Sequence, residues 1–265
     1  MRITRLVATL SALPLIAALS LWGTSGAGAA GPGYVALGDS YSAGVGAGGT
    51  TAASGECRRS TRAYPELWAA AAAPASFAFT ACDGATTVDV LNGQLGALGS
   101  ATGLVSITVG GDDAGFAQVM ATCALSADLL CVQRVDRARG FVRDSLPGLL
   151  DTVYSAIRAR APHARVVVLG YPRFYQRGGG CLAGLGEAKR TAIDGGIDQL
   201  DSVIADRAAA HGFAFGDVRG VFAAHEICGQ DPWLHSVTLP VGDSYHPTAV
   251  GQSHGYLPVF TAVAG

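Results

Sequence analysis

Three short stretches of this 265-residue chain hold residue types that could do acyl-transfer chemistry: Gly38-Asp39-Ser40-Tyr41-Ser42, Gly110-Gly111-Asp112-Asp113 and Asp243-Ser244-Tyr245-His246-Pro247. A serine hydroxyl is a poor nucleophile at its free pKa. It needs a base within hydrogen-bond reach, a group that orients the base, and donors for the developing oxyanion. Ser40 is the candidate nucleophile, although Gly-Asp-Ser alone is equally a turn in which the serine caps a helix. The stretch is not the G-x-S-x-G elbow, because Ser42 stands where the last glycine would be. Of six histidines, His246 is the candidate base, since Asp243 precedes it by three residues. A short turn at that spacing can bring the carboxylate to Nδ1 and leave Nε2 free to take the serine proton. A capped helix start is the alternative reading of the same residues. His163, His211, His225, His235 and His254 read as turn, loop or helix residues. Asp39 reads as structural, holding its loop by accepting backbone N–H groups. Asp113 reads as the cap of the turn that follows it.

These stretches need a frame. Residues 33–37, 76–80, 104–109, 165–170 and 213–215 read as short buried strands, and the β-branched run at 165–170 suits a central parallel strand covered on both faces. Helices are expected at 63–73, 87–98, 136–160, 186–210 and 247–263. Gly93 and Gly96 weaken the second, and Pro147 kinks or divides the third. Alternating strands and helices predict a parallel sheet with helices on both sides, whose site forms at the carboxyl ends of the strands. Ser40, the Cys82-Asp83-Gly84 turn and Asp112 each follow a strand directly, so three loops should meet at one edge.

Residues 1–30 read as a secretory signal: Arg2 and Arg5, an apolar run over 6–22, then small residues ending in Ala27-Gly28-Ala29, with the cut after Ala29 or Ala30. One domain, 31–265, follows. The formal net charge is −2, and the only lysine, Lys189, stands against seventeen arginines with no basic stripe, so no nucleic-acid partner is indicated. Six cysteines in an exported chain argue for three disulfides, and composition leaves all fifteen connectivities open. No C-x-x-C pair offers a metal site. The glycine cluster at 44–49 lacks the lysine of a phosphate loop and reads as a flexible loop bordering the cleft. Trp233 could line the pocket or lie in the core.

In these residues the chain resembles the SGNH (GDSL) hydrolases, and within them the secreted actinomycete lipases, esterases and phospholipases. Four ordered blocks carry the resemblance: Gly38 to Ser40; Gly84 in its Ala81-Cys82-Asp83-Gly84 setting; Gly110 to Asp113 at the position of G-x-N-D; and Asp243 with His246 as D-x-x-H. The resemblance implies a three-layer α/β/α fold with a five-stranded parallel sheet and sequential disulfides Cys57–Cys82, Cys123–Cys131 and Cys181–Cys228. It also implies hydrolysis of carboxylic esters without metal or cofactor. Ser40 would be the nucleophile, His246 the base oriented by Asp243, and the N–H groups of Ser40 and Gly84, with position 112, the oxyanion hole. The substrate would be a small or lipid ester met in transient contact with a lipid interface, and a secreted monomer is expected. A phospholipase A, an acyltransferase or a carbohydrate acetylesterase would use the same residues.

One departure stands out. The family has asparagine where this chain has Asp112, and an ionised carboxylate cannot donate to an oxyanion. Three outcomes stay open: Asp112 is protonated and donates as a neutral acid, it is ionised and turned away, or activity is weakened to that of a lipid- or ester-binding protein.

Overall fold

The computed structural model describes residues 32–178, 180 and 185–265; the expected signal segment and Cys181 lie outside the described residues. Five strands form one parallel sheet: β1 (Gly33–Gly38), β2 (Phe77–Phe79), β3 (Thr102–Thr108), β4 (Arg165–Leu169) and β5 (Ala214–Gly216), in the order β2-β1-β3-β4-β5. The central strands β1, β3 and β4 are buried almost throughout, as their apolar runs require of strands covered on both faces.

The helices are α1 (Ser40–Ala43), α2 (Tyr64–Ala72), α3 (Thr87–Asp89), α4 (Phe116–Leu125), α5 (Asp128–Asp144), α6 (Leu146–Arg160), α7 (Glu187–Ala210), α8 (Arg219–Phe222) and α9 (Leu257–Ala264). One layer holds α2 and α9. There Tyr34 of β1 packs between Trp68, Phe77 and Phe260, with ring centroids 5.0–5.5 Å away, while its hydroxyl reaches Ser106 Oγ at 2.7 Å. The other layer holds α5, α6 and α7. It buries Leu146, Leu150, Val153 and Ile157 of α6 and Ile193, Ile197, Leu200 and Ile204 of α7, the helical spacing an inward stripe requires.

Several expectations are corrected. The stretch expected over 136–160 is divided near Pro147, as expected, but begins earlier, at Asp128; the two helices part at Ser145, and Pro147 sits in the first turn of α6 where its missing N–H costs nothing. The helix expected over 87–98 is one turn of α3 followed by a wide turn at Val90–Gln94 and a tight one at Leu95–Ala97. The last helix does not start at Pro247, which forms a bridge with Leu234. Helix α4 was not foreseen. The loop at 44–49 does not border the cleft: Gly44, Val45 and Ala47 are buried.

The Cys57–Cys82 and Cys123–Cys131 disulfides are present. Cys228 is disulfide-bonded as well, and its expected partner Cys181 lies outside the described residues. The second bridge closes the corner between α4 and α5, and Lys189 of α7 docks there, its ammonium donating to the carbonyls of Cys123 at 2.8 Å and Ser126 at 2.5 Å. No helix among the described residues is long and apolar enough to cross a membrane.

Candidate active site

Strand β1 delivers Ser40 through a constrained turn. Gly38 adopts φ +122°, and a Cβ there would stand 2.4 Å from the carbonyl oxygen of Thr108. The side-chain amide of the buried Gln94 clamps this glycine, accepting from its N–H at 2.7 Å and donating to its carbonyl at 2.8 Å. Asp39 then caps α1: its carboxylate accepts from the Tyr41 N–H at 3.0 Å, from Thr108 Oγ1 at 2.5 Å and from the Tyr171 hydroxyl. The cap is therefore Asp39, and Ser40 is the first residue of the helix.

His246 meets this turn from the far end of the chain. Its Nε2 lies 2.8 Å from Ser40 Oγ, and both side chains are buried. The imidazole packs beside the rings of Tyr41 at 5.2 Å and Phe116 at 5.9 Å. Gly46 supports it from behind: a Cβ on this residue would come within 3.0 Å of the His246 Cβ, and its carbonyl faces His235 Nε2 at 2.8 Å. Burial pushes the imidazole down to about 4, so it is neutral above that pH and able to accept a proton.

Asp243 does not reach His246. It closes a tight turn, Val241–Asp243, and its carboxylate is taken by the Arg58 guanidinium. Tyr245, at φ +66°, turns the chain so that His246 faces Ser40. His246 Nδ1 has no hydrogen-bond partner among the described residues. The Ser244 carbonyl is the backbone group that favours the charged imidazole, without meeting hydrogen-bond geometry at Nδ1. The expected carboxylate–imidazole bond is thus replaced by an ion pair to Arg58 on one side and a backbone dipole on the other.

Gly84 and Asp112 share a groove with Ser40 and His246, with a volume of about 450 Å³. The Gly84 loop is fixed from the loop after β3: the Asp113 carboxylate accepts from Thr87 N–H at 3.0 Å and Thr87 Oγ1 at 2.6 Å. Asp113 therefore holds the first residue of α3, whose N-cap is Thr86, rather than capping the turn after itself. Asp112 is held up at about 8, first by burial and then by the negative charges of Asp39 and Asp83. It is a neutral acid at neutral pH, able to donate. Asp39 itself is raised to about 6 by burial, against the lowering effect of the Thr108 and Tyr171 hydroxyls and the backbone N–H groups of Tyr41 and Ser42.

A second cavity, about 70 Å³, opens from Ser40 and Asp112 into the space between α4, α5 and α7, walled by Val119, Met120, Val142, Phe174, Ile197 and Leu200 among others. Trp233 lines neither cavity; it stacks on His225 with centroids 3.6 Å apart and packs on Phe222. Among the described residues no group of three or more His, Cys, Asp or Glu could hold a metal ion.

Arg58, Gln94 and Tyr171 support the site without any signal in their own spacing. The expected Cys57–Cys82 bridge was the one available pointer, since it sets Arg58 beside Asp83.

Comparison with known proteins shows the family. The profile of the GDSL-like Lipase/Acylhydrolase family matches residues 36–254. The chain is 59% identical to Lipase 1 of Streptomyces coelicolor over the full length of both. Among solved structures it resembles phospholipase A1 from Streptomyces albidoflavus NA297, at 61% identity and a TM-score of 0.87, covering 89% of this chain and 100% of that one. The extracellular lipase of Streptomyces rimosus is similar at 58% identity and a TM-score of 0.86, covering 88% and 99%.

The raised Asp112 has a consequence for stability. Between the ordinary carboxylate range and about 8 the folded state keeps a proton that the unfolded state has lost, so stability falls as pH rises through that window. Asp112→Asn cannot ionise. Its melting temperature relative to wild type is expected to rise from about pH 4 to about pH 8 and to level off above; a gap that stays constant would show that Asp112 ionises normally.

Proposed function

The chain belongs to the GDSL-like lipase/acylhydrolase family and is a carboxylic ester hydrolase, and from that premise we propose that it works through an acyl-enzyme on Ser40. The observation that carries this reading is the 2.8 Å contact of the buried Ser40 Oγ with the buried His246 Nε2, in a groove also lined by Gly84 and Asp112. Nε2 takes the hydroxyl proton as Oγ attacks the ester carbonyl. The oxyanion accepts from the N–H groups of Ser40 and Gly84, and the neutral Asp112 carboxyl is the third donor. Collapse breaks the bond to the alcohol, which leaves with the proton from Nε2. Water then gives a proton to Nε2 while its oxygen attacks the acyl carbon, and collapse frees the acid and returns the proton to Ser40. The Ser244 carbonyl supports the transient imidazolium. Asp243 acts on it only through space.

The two cavities suggest the substrate. The inner one is apolar and leads from Ser40 between α4, α5 and α7, which suits an acyl chain. The outer groove, walled by Ala117, Ala121, Leu125, Val237 and Val241, suits a second apolar chain. That groove favours phospholipase A activity on a two-chain lipid as a second reading. Hydrolysis of p-nitrophenyl esters from acetate to palmitate, and of phosphatidylcholine, separates the two. Ser40→Ala should lose at least about 10⁴-fold in kcat, and retained turnover would refute the acyl-enzyme. On the same substrates activity should fall as pH rises through about 8, where Asp112 gains its charge. Asp112→Asn should remove that fall, and identical alkaline limbs would refute the donor role.

Exposed apolar side chains line the groove at Leu125, Val237 and Val241 and continue on the same segments or the next helix at Leu129, Leu130 and Leu239. Leu125 and Leu239 are 87% and 88% exposed, and Leu129, Leu130, Val237 and Val241 are more than half exposed. We assign this rim to transient contact with the surface of a lipid aggregate. Leu129 and Leu239 line neither cavity, so Leu129→Ser with Leu239→Ser should leave p-nitrophenyl acetate hydrolysis unchanged. It should slow turnover of emulsified lipid at least about tenfold, since burying one leucine is worth about 1.5–3 kcal/mol. Equal loss on both substrates would refute the assignment.

Residues 1–30 are proposed to direct export of the 31–265 domain and to be removed. N-terminal sequencing of exported protein should start after Ala29 or Ala30, and a chain retaining its apolar segment would refute this.

A further inference from the structure

We propose that Arg58 is a positioning residue that sets the Ser40–His246 pair, by clasping the loop that carries Gly84 to the loop that carries His246. The inference rests on the acyl-Ser40 reading above and adds a residue that neither motif contains. Arg58 follows Cys57 in the left-handed conformation, at φ +52°. Its guanidinium bridges two groove-lining positions, Asp83 and Gly242. One nitrogen donates to Asp83 Oδ2 at 3.0 Å and to the Gly242 carbonyl at 3.3 Å; the other is bonded to Asp243 Oδ1. Asp83 is the neighbour of Gly84, and Asp243 stands three residues before His246. The backbone of Asp83 is held to the same point, its N–H donating to the Cys57 carbonyl at 3.2 Å. One planar fork thus fixes the spacing between an oxyanion donor and the base, a geometry an ammonium cannot reproduce.

The clasp also balances charge. Two carboxylates and one guanidinium leave a net −1 beside the imidazole. The groups that face His246 are Ser40 and Tyr41 from α1, Phe116 from α4, and Asp83, Arg58 and Asp243 from this cluster; Asp112, across the groove, is neutral at neutral pH. Asp83 and Asp243 favour the imidazolium, and Arg58 opposes it. Removing Arg58 leaves both carboxylates uncompensated, so the imidazole should keep its proton to higher pH. Removing the charge of Asp243 frees Arg58 and should do the reverse.

The test is the acid limb of kcat/KM on p-nitrophenyl butyrate for wild type, Arg58→Gln, Arg58→Lys and Asp243→Asn. A parallel NMR titration of the His246 imidazole is run in the Ser40→Ala background. Arg58→Gln should move the limb and the imidazole titration up by about one pH unit, and Asp243→Asn should move both down. Arg58→Lys keeps the charge but not the fork. Its limb should stay in place while kcat falls about tenfold or more, as small misplacements of reacting groups do. A purely structural tether would lower activity in all three variants without opposite movements of the limb. That result overturns the proposal, as do limbs and kcat unchanged in all three. Should Arg58→Gln fail to fold, Asp243→Asn and Arg58→Lys read the same cluster. The imidazole titration needs no turnover, so failure of the acyl-Ser40 reading and failure of the clasp give distinguishable results.

Discussion

A carboxylate buried beside Ser40 organises the edge of this sheet. Asp39 is 1% exposed, and a charge so placed must be met by donors or given up to a proton. Three donors meet it, one from each of three chain segments: the Tyr41 N–H at the start of α1, the Thr108 hydroxyl at the end of β3 and the Tyr171 hydroxyl beyond β4. Tyr171 is held in turn, its N–H donating to the buried Asp201 of α7 at 2.9 Å and its hydroxyl accepting from the Gly111 N–H at 3.2 Å. One polar chain thus runs from α7 through the loop after β4 to the turn that presents Ser40. It also ties down Gly111, the residue before Asp112.

The same carboxylate reaches Asp112 through space. Next to burial, the negative charge of Asp39 is the largest influence that keeps Asp112 protonated. Where an asparagine would offer its donor at any pH, an aspartate offers one only while something nearby discourages its ionisation. Here burial does most of that work, and the cap of the serine helix adds to it. The cap and the neutral acid are therefore one electrostatic arrangement rather than two separate adaptations.

Much of this was legible in the residues. Continuous apolar runs such as Val166-Val167-Val168-Leu169 fixed the strands, because only a strand covered on both faces tolerates them, and the strand ends placed Ser40 and Asp112 at one edge. Helix boundaries were less legible where exposure breaks the apolar period. Leu129 and Leu130 face solvent in the first turn of α5, so the stripe does not begin where the helix does. Helix α4 is a ten-residue segment entered through Gly115 in the left-handed conformation, with no side-chain cap to announce it. The Asp243–His246 spacing was compatible with a hydrogen bond, but spacing cannot reveal a competitor. Arg58, 185 residues away in sequence, takes the carboxylate instead. Long-range ion pairs of this kind leave no local pattern.

Because β1 runs from Gly33 toward Ser40, the chain that precedes it enters at the opposite end of the sheet from the groove. The one lysine is already committed to carbonyls at the α4–α5 corner. Amine-directed coupling therefore has little to find on the body of the domain, and a tether attached upstream of β1 would hold the protein with its groove turned away from the support.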